Sequence, residues 1–234
     1  MTEKPAALRK KKTAPKPDNT AGEAPRSDAA LKKAILKEAL KDAAFDGFND
    51  SVLAKAGKKV DADKAALARL FPEGGLSLIE YFSSSVDEAM EEKLKALDLS
   101  KRKIRERIKL AVLTRLALLA PNKEAARRAA ATMTLPMHAG RGAKMMYRTV
   151  DAMWRAAGDT ATDFNFYTKR GILAGVYGSV LVRWFNDTGE DDTATEAFLD
   201  ARIENVMQFE KFKAKAKEAF ANLPAFAAWA KPKS

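Results

Sequence analysis

The sequence has no cysteine and a single histidine, His138. Without thiols there is no disulfide framework and no thiolate metal site, and His138 has no second histidine with which to share an ion. No apolar run is long enough to cross a bilayer, and the first residues contain no apolar signal-peptide core. Those residues are basic, but Glu3, Asp18 and Glu23 are out of place in a mitochondrial presequence. A phosphate loop is missing too, because Gly74-Gly75 lacks the Gly-Lys-Ser ending that would cradle a nucleotide. Nor are there paired carboxylates at helical spacing in an apolar setting, the arrangement that acid–base chemistry would need. With no catalytic constellation, we expect a protein that is not an enzyme and holds no metal or cofactor.

What the chain does have is apolar surface and positive charge. At 47% hydrophobic residues it can build a core for one domain of good size, with a small appendage at most. Its 42 lysines and arginines outnumber 31 acids, for a net charge of +11. Such a surplus suits an anionic partner, either nucleic acid or a membrane surface. The lack of cysteine fits the interior of a cell.

Residues 1–27 are rich in Lys, Pro, Ala and Thr around Arg9-Lys10-Lys11-Lys12 and read as a disordered basic tail. Helical periodicity starts after Asp28 with Leu31, Ala34, Ile35 and Ala39, and Gly47 ends it. Asp50 is placed to cap a second short helix that ends at Gly57. A third carries Ala65, Ala66, Leu67 and Leu70 and stops at Phe71-Pro72. The unit 28–83 thus has the layout of a helix-turn-helix, and the Gly47-Phe48 and Leu70-Phe71-Pro72 pairs resemble the N-terminal domain of TetR-type repressors. Its third helix is poorly equipped to read bases, since it opens on Asp61 and Asp63, opposed by Lys58, Lys59 and Lys64, and after Lys64 shows mainly Ala and Leu, with Arg69 as its one long polar group.

Residues 84–208 carry the remaining body. One helix runs from Leu76 to Leu97. The next has an apolar face of Ile104, Ile108, Ala111, Val112, Arg115 and Leu119, preceded by a basic run from Lys101 to Lys109 that reads as a solvated face. Pro121 breaks it, and an Ala-rich helix follows. Met133, Met137, Met145 and Met146 then cluster with Trp154 and Tyr177. Thioethers conform to irregular ligands, so this group can line a lipid pocket or simply fill a core. A long helix to Trp184 includes Gly171, Gly175 and Gly178, and Asn186–Asp192 is an acidic loop before a last helix.

Two further stretches stand out. Asp163, Phe166, Tyr167 and Arg170 fall at i, i+3, i+4 and i+7, on one helix face, after a stop at Gly158. Aromatics and arginine are enriched at interface hot spots, but a half-buried helix with a capping acid has the same pattern. In residues 209–234, Phe209, Phe212, Phe220 and Leu223 share a helical side bordered by Lys211, Lys213, Lys215 and Lys217. Phe226 and Trp229 follow it. That is the plan of an interfacial membrane helix, or of a last helix docked on the body.

The run Met153-Trp154…Ala157-Gly158-Asp159…Thr162-Asp163-Phe164-Asn165-Phe166-Tyr167-Thr168-Lys169-Arg170 resembles the signature of the Coq-nine family. Arg115-Leu116, Leu135-Pro136-Met137-His138, Phe198-Leu199 and Val206-Met207 extend the likeness. It departs from animal members at Phe166, where a Trp is expected, and so loses an indole donor. The resemblance implies an all-α, TetR-like helical bundle with a degenerate N-terminal helix-turn-helix. It further implies a homodimer that binds a hydrophobic lipid, an isoprenoid quinone or a phospholipid, in ubiquinone biosynthesis. Met153, Asp163, Phe166, Tyr167 and Arg170 would then form the patch that meets the demethoxyubiquinone hydroxylase, and no specific nucleic acid would bind. The expected place is the bacterial cytoplasm, peripheral on the inner membrane, or the matrix side of that membrane in a eukaryote. Two rivals are a TetR-type transcription regulator with an apolar effector pocket and a purely structural membrane adaptor.

Overall fold

The computed structural model describes residues 27–159, 164–189 and 191–221. Among them the chain is helical, with no strand. The helices are α1 (Asp28–Asp46), α2 (Asp50–Lys59), α3 (Lys64–Leu70), α4 (Gly75–Lys95), α5 (Ile104–Leu119), α6 (Lys123–Thr134), α7 (Ala139–Ala156), α8 (Phe164–Phe185) and α9 (Thr193–Ala221). Two 3₁₀ turns, Ala120–Asn122 and Pro136–His138, fall where Pro121 and Pro136 remove a backbone donor.

Side chains set the first helix starts. The Ser27 hydroxyl accepts from Ala30 N (3.2 Å), the Asn49 side chain from Val52 N (2.9 Å) and the Asp63 carboxylate from Ala66 N (2.6 Å). Each satisfies a donor that the first turn leaves open. The expected cap at Asp50 is therefore displaced by one residue to Asn49. The Asp50 carboxylate instead accepts from Gly75 N (3.2 Å) and ties α2 to the start of α4. Gly57 lets α3 approach α2 closely, since a Cβ there would lie 2.7 Å from the Leu67 side chain.

One continuous core joins the helices. Ile35, Ala39 and Ala43 of α1 meet it from one end, where Phe48 stacks on Phe82 of α4 at 5.9 Å. Leu78, Ile79, Val86 and Met90 of α4 and Ala111, Val112 and Leu116 of α5 form its centre, and α8 adds Leu173, Tyr177, Val180 and Trp184. The segments read from the sequence are not separated by breaks at 83 or 208. Helix α4 is continuous through residue 83, and α9 is continuous through residue 208.

Arg107 and Lys109 belong to the basic run that reads as a solvated face, yet both hold the fold. Arg107 donates to the carbonyls of Arg102, Ser100 and Ala157, at 2.9, 3.2 and 3.1 Å. Lys109 pairs with Glu196 and Asp200 of α9, at 2.8 Å each.

Candidate functional site

A cavity of about 430 Å³ lies between α4, α5, α6, α7 and α8. Its wall is largely apolar: Ile79, Phe82, Leu119, Leu181 and Phe185 line it, with Met133, Met145 and Met146. The methionine cluster thus does face a common space, and Tyr177 is on the same wall. Met137 is not part of it. It sits in the 3₁₀ turn after Pro136 and is 78% exposed.

One side of this cavity is polar. Arg115, 5% exposed, donates from Nε to Asp87 Oδ1 at 2.7 Å. Its terminal nitrogens donate to the Tyr177 hydroxyl, to Ser83 Oγ (3.0 Å) and to Thr149 Oγ1 (3.4 Å). Thr149 in turn donates to Asp87 Oδ2 at 2.9 Å. Burial pushes the Tyr177 hydroxyl above the ordinary phenol value, and Arg115 only partly opposes this, so Tyr177 stays protonated at neutral pH. Sequence reasoning passed over this group. The cue was a lone guanidinium in the otherwise apolar face of α5, but its partners come from three other helices.

A second apolar cavity, of about 540 Å³, lies between α5, α8 and α9. Ile104, Ile108, Ile172, Val176, Val206 and Met207 line it, with Lys103, Arg105 and Lys169 also on its wall. Trp154 faces this cavity rather than the methionine-lined one, and its indole N–H donates to the Lys169 carbonyl at 3.2 Å. The residues grouped as one lipid pocket are therefore divided between two.

Around 151–170 the expected stop is present. Gly158 has φ +84°, a conformation that favours glycine. The Asp159 N–H reaches back to the Trp154 carbonyl (3.0 Å) and the Gly158 N–H to that of Arg155 (2.9 Å), which closes α7 with a Schellman pattern. Thr160 and Asp163, with the cap expected there, lie outside the described residues. The predicted stripe does not stay on one surface. Arg170 is 2% exposed and points into the α7–α8 junction, where Nε donates to Asp151 Oδ1 (2.6 Å) and Nη1 to Asp159 Oδ2 (3.2 Å). Its guanidinium lies 3.3 Å from the Phe166 ring centroid. Met153 is fully buried as well. The surface part of the stripe is thus Tyr167, 65% exposed, with Phe166 half-buried and packed edge-on against it. Arg170 and Met153 are corrected to supporting positions: two aspartates neutralise the arginine from below, and core packing encloses the methionine.

At the far end of α9, Phe209 and Phe212 are exposed, as are Lys211 and Lys215. The backbone at Lys213, Lys217 and Phe220 is helical, whereas Leu223, Phe226 and Trp229 lie outside the described residues. No helix among the described residues is long and apolar enough to cross a membrane. No group of three His, Cys, Asp or Glu among them could hold a metal ion.

These features define an all-α protein of the TetR fold class. The crystal structure of a TetR transcriptional regulator from Nitrosomonas europaea matches with a TM-score of 0.61, over 74% of this chain and 96% of that one. The two are 20% identical in sequence, so the match shows the fold alone.

Within that class the chain is related to the COQ9 family, whose model matches residues 139–210. The rat ubiquinone biosynthesis protein COQ9, mitochondrial, is 32% identical over 188 residues, covering 77% of this chain and 60% of the rat protein. The human protein of the same name is 31% identical, over 77% of this chain and 59% of its own length. A probable coq9 of Dictyostelium discoideum is 26% identical, with 78% and 62% covered. The chain spans about 60% of the length of the curated relatives it matches.

Proposed function

We propose that this protein is a non-catalytic accessory factor of ubiquinone biosynthesis. It binds an isoprenoid quinone precursor at a membrane and presents it to the demethoxyubiquinone hydroxylase. The pathway is suggested by the names of the relatives. The observation that carries the lipid reading is the methionine-lined cavity, whose wall is apolar apart from one polar side. Exposed Phe209 and Phe212 beside Lys211 and Lys215 support docking on an anionic bilayer. Exposed Tyr167, with Phe166 against it, supports a protein contact at the start of α8. An open face on α8, where a Cβ added at Gly171 or Gly175 would meet no atom of another element within 4 Å and Val182 is exposed, supports a homodimer.

Native mass spectrometry of the gently purified protein, followed by lipid extraction, tests the central claim. We expect a bound quinone, isoprenoid or phospholipid. A protein that carries none and cannot be loaded with one is not a lipid presenter.

A further inference from the structure

The polar side of the methionine-lined cavity specifies more than a greasy ligand. Arginine donates hydrogen bonds and accepts none. Tyr177 and Ser83 each accept from Arg115, so their own protons must go elsewhere. Thr149, in the same position, gives its proton to Asp87. Neither Tyr177 nor Ser83 meets an acceptor among the described residues. Tyr177 is 1% exposed, so bulk water does not take its proton either. Both residues line the cavity, Tyr177 buried and Ser83 half-buried, and a buried donor such as the Tyr177 hydroxyl left unmet is costly.

Charge narrows the choice. Arg115 is already balanced by Asp87 at 2.7 Å. An ionised headgroup would bring an uncompensated charge into a largely apolar space, which is strongly disfavoured. A neutral oxygen with a free lone pair meets the two donors at no such cost.

We propose that Tyr177 and Ser83 read a neutral acceptor oxygen, such as a quinone carbonyl, on the leading end of the ligand. The oxygen-bearing ring then enters head first, and its chain lies along Met133, Met145 and Met146. This deepens the lipid-binding reading and rests on it.

The test compares three probes that displace N-phenyl-1-naphthylamine from the full-length protein. Decylubiquinone has a ring, a chain and neutral oxygens; tetradecylbenzene has a ring and a chain without oxygen; palmitate has a chain and an ionised head. We expect the wild type to prefer decylubiquinone over both others. Tyr177→Phe and Ser83→Ala should each weaken decylubiquinone by about tenfold. Tetradecylbenzene should change by less than about twofold, because ring and cavity shape are kept. Equal losses for quinone and hydrocarbon, or quinone binding unchanged in both variants, would overturn the proposal, as would a wild-type preference for palmitate. If Tyr177→Phe does not fold, Ser83→Ala decides alone. Failure of every probe to bind wild type would sink the lipid-binding reading itself, an outcome distinct from a loss of selectivity.

Discussion

Arg170 and Tyr167 stand three residues apart on α8 and answer to different demands. Arg170 is held by Asp151 and Asp159, one from within α7 and one from just beyond it, so it staples α7 to α8. Removing Arg170 takes a buried charge from between Asp151 and Asp159, but Arg155 still pairs with Asp151 and Lys169 with Asp159, so the cost is roughly 1–3 kcal/mol rather than that of a pair broken outright. Arg170→Ala should therefore lower the urea midpoint, and a loss of under about 1 kcal/mol would mean that Arg155 and Lys169 hold the two aspartates without it. Tyr167→Ala should leave the urea midpoint within about 0.5 kcal/mol of wild type, since the side chain lies mostly in solvent. If the hydroxylase docks here, the same substitution should weaken its association by about 2 kcal/mol in a surface-binding assay. Tyr167 is thus the clean probe of docking, and any effect of Arg170 on binding is entangled with folding.

Helix α9 shows the same division along its length. Its first half is fixed: Leu199 is fully buried, Thr195 Oγ1 donates to Asp187 Oδ2 at 2.8 Å, and Glu196 and Asp200 hold Lys109 of α5. Beyond Met207 the described side chains turn outward, with Phe209 and Phe212 more than half exposed. A chain ending at Gln208 should keep its helical signal apart from the residues removed, and its melting temperature should hold. It should no longer float with anionic vesicles, to which each nearby lysine contributes on the order of 1 kcal/mol. Flotation that survives truncation would move the membrane contact elsewhere. The sequence made most of these elements legible, because Gly47, Pro121 and Gly158 punctuate the apolar periodicity and local chemistry fixes such stops; Gly57 is the exception, since α2 runs on to Lys59 and the glycine serves packing against Leu67 instead. Sides of helices were harder to read. Arg170 is at i+7 from Asp163, but it also falls at i−3 from Leu173 and i−7 from Tyr177, on the stripe that α8 buries. Which stripe wins depends on Asp151 and Asp159, and no spacing within α8 reveals them. The second cavity and the Arg115 group were illegible for the same reason, since each is assembled from separate helices.

At the scale of the whole molecule, three carboxylates near the surface add to the sensitivity of the fold to acid, each by a small, solvent-screened amount. The Arg69 hydrogen bond to Asp28, the Arg141 hydrogen bond to Glu73 and the Thr195 hydrogen bond to Asp187 hold those acids below their ordinary values of 3.8, 4.5 and 3.8. Groups with depressed folded values contribute stability that is present above the unfolded value and lost as pH falls through the folded one. The melting temperature should therefore be insensitive to these groups near neutrality and decline below about pH 4.5. The same contacts bear on the helix-turn-helix. In a DNA reader, the third helix enters the major groove by its N-terminal end. Here Asp63 occupies that end as the cap of α3, and its carboxylate is aimed at Ala66 N. Arg69, the one long polar side chain after Lys64 on the helix, is engaged by Asp28 of α1. What remains exposed is Lys64, a point charge suited to phosphate, with Ala65 and Ala68, which can touch a thymine methyl but cannot distinguish the four base pairs. The basic surface can still attract phosphate without regard to sequence, and such binding fades as salt rises. We therefore expect a selection from random duplexes to enrich no palindrome, and any mobility shift at low salt to vanish near physiological ionic strength. Enrichment of one palindromic site that stays bound at that salt would restore the regulator reading and leave a degenerate helix-turn-helix in α1–α3 untenable.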